Sequence, residues 1–107
     1  MAIREIPLRN DIAAYTFTID LDNRTFKFEF RFNDRSGIWH FDIFNDADEI
    51  ILAGIPLFVK QLLIDIYKHD VRLPQGNLFA QNLVSEDDPP NRDNLGTDVV
   101  LLYEDAV

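Results

Sequence analysis

The stretch that decides the fold is FKFEFRFNDRSGIWHFDIFNDADEIILAGIPL, residues 26–57. Phe26, Phe28, Phe30 and Phe32 fall on one face of an extended chain, and Lys27, Glu29 and Arg31 fall on the other. Side chains alternate across a strand with period two, so this is the pattern of a half-buried antiparallel strand. After the turn Asn33–Gly37, Trp39, Phe41 and Ile43 take one face, with His40, Asp42 and Phe44 opposite. Asn45–Asp48 makes another turn, and Glu49–Ala53 reads as a further strand leading into Gly54-Ile55-Pro56. The largest side chains of the chain are thus committed to a small β core.

Working outward, Ile3–Leu8 reads as a short first strand, placed at an edge by Pro7. Tyr15–Leu21 alternates cleanly and pairs with Arg24–Phe32 across a tight Asp22-Asn23 turn, two residues that tolerate left-handed backbone. The segment LFVKQLLIDIYK, Leu57–Lys68, has apolar residues at 58, 59, 62, 63, 66 and 67. That spacing predicts one short helix, or a strand running into a helical turn. Asn77–Val84 and Val99–Glu104 complete the strands, with a long polar loop over about 85–98 that contains Pro89 and Pro90. The expectation is mainly β: a small antiparallel β-barrel or sandwich of about seven strands and one short α-helix, forming a single β domain over 1–107. No βαβ rhythm is present, and closure would remove edges that otherwise aggregate.

Of the 107 residues 47% are hydrophobic, including nine Phe, three Tyr and one Trp, enough for a core without staples. Without cysteine, disulfides, thiolate zinc sites and cysteine nucleophiles are excluded. No segment has the form of a signal peptide, and no apolar run approaches the roughly 20 residues of a spanning helix, so no membrane role is expected. The net charge of −9 opposes binding to nucleic acid or anionic lipid and leaves room for a basic partner. Residues 86–107 hold seven acids and one base, six of the nine net charges. This concentration reads as a solvated loop and terminus, or as an electrostatic contact with a basic neighbour.

No catalytic or metal constellation is encoded. Asp46-Ala47-Asp48-Glu49 resembles half a calcium loop but runs directly into an apolar strand, so a turn is expected. His40 and His69 lie in different elements without metal-ligand spacing. Ser36 and Ser85 lack a nucleophile elbow, and the four glycines are isolated. Asp42 and Asp46 as a carboxylate pair are explained by alternation and turn chemistry. Aromatics interleave with charge in 26–32 as in an oligonucleotide-binding sheet, but the Phe residues share one face and the charges the other, which is what core burial demands. No cofactor is expected.

Taken together, Ile6-Pro7-Leu8, Phe28–Phe32, Asn33 and Arg35, Trp39–Ile43, Asp46, Ile51–Leu57, Leu95-Gly96-Thr97 and Leu101–Tyr103 resemble the baseplate plug-like proteins of contractile-tailed bacteriophages. One departure is Asp48-Glu49, where a glycine would look typical. The resemblance implies a structural virion protein without catalytic residues, made in the host cytoplasm. It implies a ring of three or six copies between the tail tube and the central hub or spike, with DNA passing nearby during ejection but not specifically bound. Apolar residues on both faces of 38–44 and 50–55 exceed what a half-solvated sheet needs. Candidate subunit contacts are therefore Ile38, His40, Phe44 and Ile51, with Asp87, Asp88 and Asp93 on an acidic reaching arm. The competing reading is an acidic phage protein that binds a host protein or mimics DNA.

Overall fold

The structure is a computed structural model, and it describes residues 3–67, 70 and 72–105. Its strands are β1 (Ile3–Ile6), β2 (Ala14–Leu21), β3 (Arg24–Asn33), β4 (Ile38–Phe44), β5 (Ile50–Pro56), β6 (Asn77–Asn82) and β7 (Val99–Glu104). They form two antiparallel sheets, β2-β3-β4-β5 and β1-β7-β6. The sheets face each other as a sandwich and do not close into a barrel, so sheet edges persist.

Local chemistry sets each hairpin. Leu21 pairs with Arg24, and the two residues between them, Asp22 and Asn23, both take positive φ (53° and 66°). That is the turn whose twist matches a two-residue hairpin. Asn33 Oδ1 accepts the amides of Arg35 and Ser36 at 2.9 and 3.3 Å, closing the next turn. Asn45 Oδ1 accepts the amides of Ala47 and Glu49, both at 2.9 Å, so the Asp46–Glu49 stretch is the β4–β5 turn. Across β4 and β5 the register slips twice, between Phe41 and Ile43 and between Ile43 and Phe44. Gly54, at φ +70°, sits at the first slip, where the backbone turns into the left-handed region that glycine enters freely.

The core is the aromatic face of the larger sheet. Phe28, Phe30, Phe41 and Trp39 are fully buried against Ile6, Leu78, Leu101 and Tyr103 of the smaller sheet. Their rings stack across the strands at centroid distances of 6.0 Å (Phe28–Phe41) and 5.3 Å (Phe30–Phe41), the offset geometry aromatic pairs prefer.

The expected helix over 57–68 is not formed; the only helical turn among the described residues is the short 3-10 turn Asp65–Tyr67. Pro56 precedes the segment, and Lys60 takes φ +66°, which no right-handed helix accommodates. The segment instead lies along β6. Leu63 N–H donates to Leu78 O at 2.8 Å and Lys60 N–H to Ala80 O at 3.4 Å, with bridges Val59–Ala80 and Leu62–Phe79. Leu57, Leu63 and Ile64 are buried, so the apolar spacing that mimics a helix serves an irregular strap over the core. The alternative expectation, a strand running into a helical turn, is nearer to what forms.

A polar staple at Tyr103 joins the sheets. The Tyr103 hydroxyl on β7 donates to Asp22 in the β2–β3 turn. It also accepts the Gly76 N–H at 2.7 Å. Gly76 has no room for a side chain: a Cβ there would stand 2.1 Å from Glu104 O. Burial penalises the phenolate, and the donated hydrogen bond to Asp22 adds to that, so the Tyr103 hydroxyl is held well above its ordinary pKa.

Replacing Tyr103 with Phe strands the Gly76 amide and should cost about 1–3 kcal/mol in urea unfolding. The wild-type fold should weaken as pH rises above about 10, where an unfolded tyrosine ionises and the native one resists. Tyr103→Phe should lose the part of that alkaline slope due to this group.

Candidate assembly surfaces

Two surfaces lie outside the core. The first is the outward face of the larger sheet, where strand alternation places Thr16, Thr18, Lys27, Glu29, Arg31, Ile38, His40, Asp42 and Phe44. Its centre is tightly bonded. Asp42 is only 5% exposed. Its carboxylate accepts from Arg31 Nη2 at 2.8 and 3.0 Å and from the Gly54 amide at 2.8 Å. A buried carboxylate demands such partners, and here it holds both the cross-strand arginine and the bulge of β5. At one end Lys27 Nζ pairs with Asp48 at 2.9 Å and lies 4.6 Å from the Phe44 ring centre. Phe44 is thus capped by a cation. His40, half-buried, faces Arg31 across the strands and lines a shallow hollow with Arg31, Phe32, Asn33 and Gly54.

The second surface is built by the strap and the loop after β6. Asn82 ends β6 because its side chain turns the chain: Oδ1 accepts the amides of Val84 and Ser85 at 3.0 and 2.8 Å. Leu83 and Val84 are therefore thrown outward, 61% and 74% exposed. Lys60 reaches from the strap to Asp87 at 2.6 Å and Glu86 at 3.3 Å. Those two carboxylates, Asp87 first, raise the Lys60 pKa. On either side of Lys60 lies a depression floored by Phe79. One is lined by Ala80, Leu83, Val84 and Glu86, the other by Leu62, Asn77 and Glu104. The result is a split apolar floor with an acidic rim.

The acidic loop is tied to the body rather than extended from it. Asn91 O accepts the Trp39 indole N–H at 3.0 Å. The Arg92 guanidinium lies 5.6 Å from the Phe32 ring and 6.0 Å from Trp39. Leu95 is fully buried, and Asn82 Nδ2 donates to Asp88 O at 3.2 Å. Asp87, Asp88 and Asp93 are exposed within this docked loop.

Of the expected contact residues, Ile38, His40 and Phe44 share the outward face. Ile51 is half-buried and packs against the core, Asp87 stands at the rim of the second surface beside Lys60, and Asp93 lies further along the loop, where its carbonyl accepts from Asn10 Nδ2 at 3.0 Å. Leu62, Leu83 and Val84 are not among the expected contacts; for Leu83 and Val84 the signal in the sequence is Asn82 before Ser85-Glu86-Asp87-Asp88, a side chain that stops a strand before a polar run. Among the described residues no three His, Asp or Glu side chains come together as a metal site. His69 lies outside the described residues. No helix among the described residues is long and apolar enough to cross a membrane.

Asp42→Ala should lower stability by about 2 kcal/mol, because the Gly54 amide at the β5 bulge and the Arg31 guanidinium lose a charged partner. Glu29→Ala, on the same face, should change it by no more than about 0.5 kcal/mol. Chemical unfolding of the two variants checks the contrast.

No curated protein matches the chain. The family model described as the cyanophage baseplate Pam3 plug gp18 matches residues 3–106, from the first described strand to past the end of the last. This span takes in both sheets, the docked acidic loop and the strap, and the chain belongs to that family of phage baseplate plug proteins.

Proposed function

We propose that the chain is a non-enzymatic structural component of a contractile-tail baseplate, a ring or plug of three or six copies between the tail tube and the central hub or spike. The observation that carries this reading is the family match over residues 3–106, nearly the whole chain. The surfaces support it. The polar outward face of the larger sheet is held rigid by Asp42, Arg31 and the β5 bulge. The Leu83–Val84 surface, with Phe79 beneath and Glu86, Asp87 and Glu104 around it, fits a neighbouring tail protein that offers an apolar anchor flanked by basic residues. The net negative charge lets DNA pass without sticking.

Mimicry of DNA, or blockade of a host protein, has less support. It needs acids in free strips, whereas Asp11, Asp42, Asp48, Asp70, Glu86 and Asp87 are each set against a lysine or arginine of the chain.

Quantitative mass spectrometry of purified particles from the phage that encodes the chain tests the reading. A fixed small copy number, three or six per particle, is expected, and absence from the particle would refute it. Leu83→Asp combined with Val84→Asp should leave the melting temperature unchanged, since both side chains are exposed, yet sharply reduce incorporation into particles.

A further inference from the structure

A sandwich with two open sheets has four edge strands, and each must be protected from pairing with another chain. Three are. β6 is covered by the 57–64 strap. β5 carries two register slips and ends on Pro56, which has no N–H to offer. β1 is four residues long, bears Arg4 and Glu5, and runs into Pro7. β2 has none of these devices: eight residues, AYTFTIDL, without proline, bulge or lysine.

The hydrogen-bond phase of β2 shows which groups are open. Phe32 N–H donates to Ala13 O at 2.8 Å, so odd-numbered residues bond β3 and even-numbered ones, Ala14, Thr16, Thr18 and Asp20, point outward. Among the described residues one donor meets that edge: Arg4 Nη1, at 3.0 Å from Asp20 O. The apolar side chains tell the same story. Phe26, Phe28 and Phe30 of β3 are no more than 2% exposed, while their partners Ile19, Phe17 and Tyr15 are only half-buried.

We infer that β2 pairs antiparallel with β2 of a second copy of the chain, joining two four-stranded sheets into one. Residues 12–19 carry no charge, so two strongly acidic molecules meet where repulsion is least. At one end of the strand Arg9 stands with Asp11, and at the other Arg4 shares a hollow with Asp20, Asp22 and Asp105. An antiparallel pair sets opposite ends together and so brings the arginine-bearing end at Arg9 of one copy toward the more acidic end of the other. A register centred on Thr16 leaves the Arg4–Asp20 bond intact. It sets Ala14 against Thr18 of the other copy and lays Tyr15 beside Phe17, so apolar faces apolar. The contact is two-fold and self-complementary. It is a property of the free chain and does not rest on the baseplate reading.

The chain has no cysteine, so an introduced one reports alone. At the centre of such a pair the two Thr16 Cα atoms would stand about 5.5 Å apart, within disulfide reach. Thr16→Cys should form an interchain disulfide on mild oxidation, and Ser36→Cys, on the exposed β3–β4 turn, should not. Sedimentation of the wild type over a dilution series should give twice the mass of one chain at the upper end. Thr18→Pro, which removes an outward N–H without touching the β3 ladder, should sediment as one chain with an unchanged circular dichroism spectrum. Wild type that sediments as a single chain throughout would overturn the inference. So would Thr16→Cys that links no faster than Ser36→Cys, a result that decides even where the proline variant does not fold.

Discussion

Everything in this molecule answers to one constraint: a four-stranded sheet offers a face of phenylalanines, and the sheet opposite has only three strands to cover it. Phe28, Phe30 and Phe41 sit centrally and vanish under Ile6, Leu78 and Leu101. The flanks need other cover. On the β5 side the chain supplies it by running residues 57–64 across from one sheet to the other, with Leu57, Leu63 and Ile64 turned in. Near Trp39 the long polar loop folds back and inserts Leu95. On the β2 side nothing of the kind is present among the described residues, and Tyr15, Phe17 and Ile19 remain at the margin of the core.

Much of this was legible in the residues. Period-two aromatics place β2, β3 and β4 within a residue or so, and Asp22-Asn23 names its own turn. The failure over Leu57–Lys68 is instructive. Pairs of apolar residues at three- and four-residue spacing satisfy a helix and an irregular strap equally well. What separates them is the partner: carbonyls of Leu78 and Ala80, fifteen and twenty residues on, take the amides of Leu63 and Lys60 that a helix would have kept for itself. Spacing alone does not carry that information. The choice between barrel and sandwich was equally hidden, since it turns on whether β2 and β5 find partners, not on how either strand alternates.

The surfaces were less legible than the fold. An acidic run looks like a free arm because repulsion is local in sequence, whereas its restraints come from afar. Lys60 reaches Asp87, Trp39 reaches Asn91, and Arg92 slots beside Phe32 and Trp39. Ile51 is hard to orient from the sequence for a related reason: the register slips between β4 and β5 break the alternation that would set its direction. Asp42 shows the opposite case, where a lone acid on an otherwise ordinary outward face turns out to be the most thoroughly bonded carboxylate in the sheet.

The bond from Trp39 to Asn91 has a consequence beyond anchoring. Trp39 is the one tryptophan in the chain, fully buried, with its indole N–H on the acidic loop and a guanidinium of that loop near its ring. Its fluorescence is therefore wired to the loop: lifting the loop would wet the indole, shift its emission to longer wavelength and change its quenching. The molecule carries a built-in optical gauge of whether its most acidic segment is seated or engaged elsewhere, readable without any label.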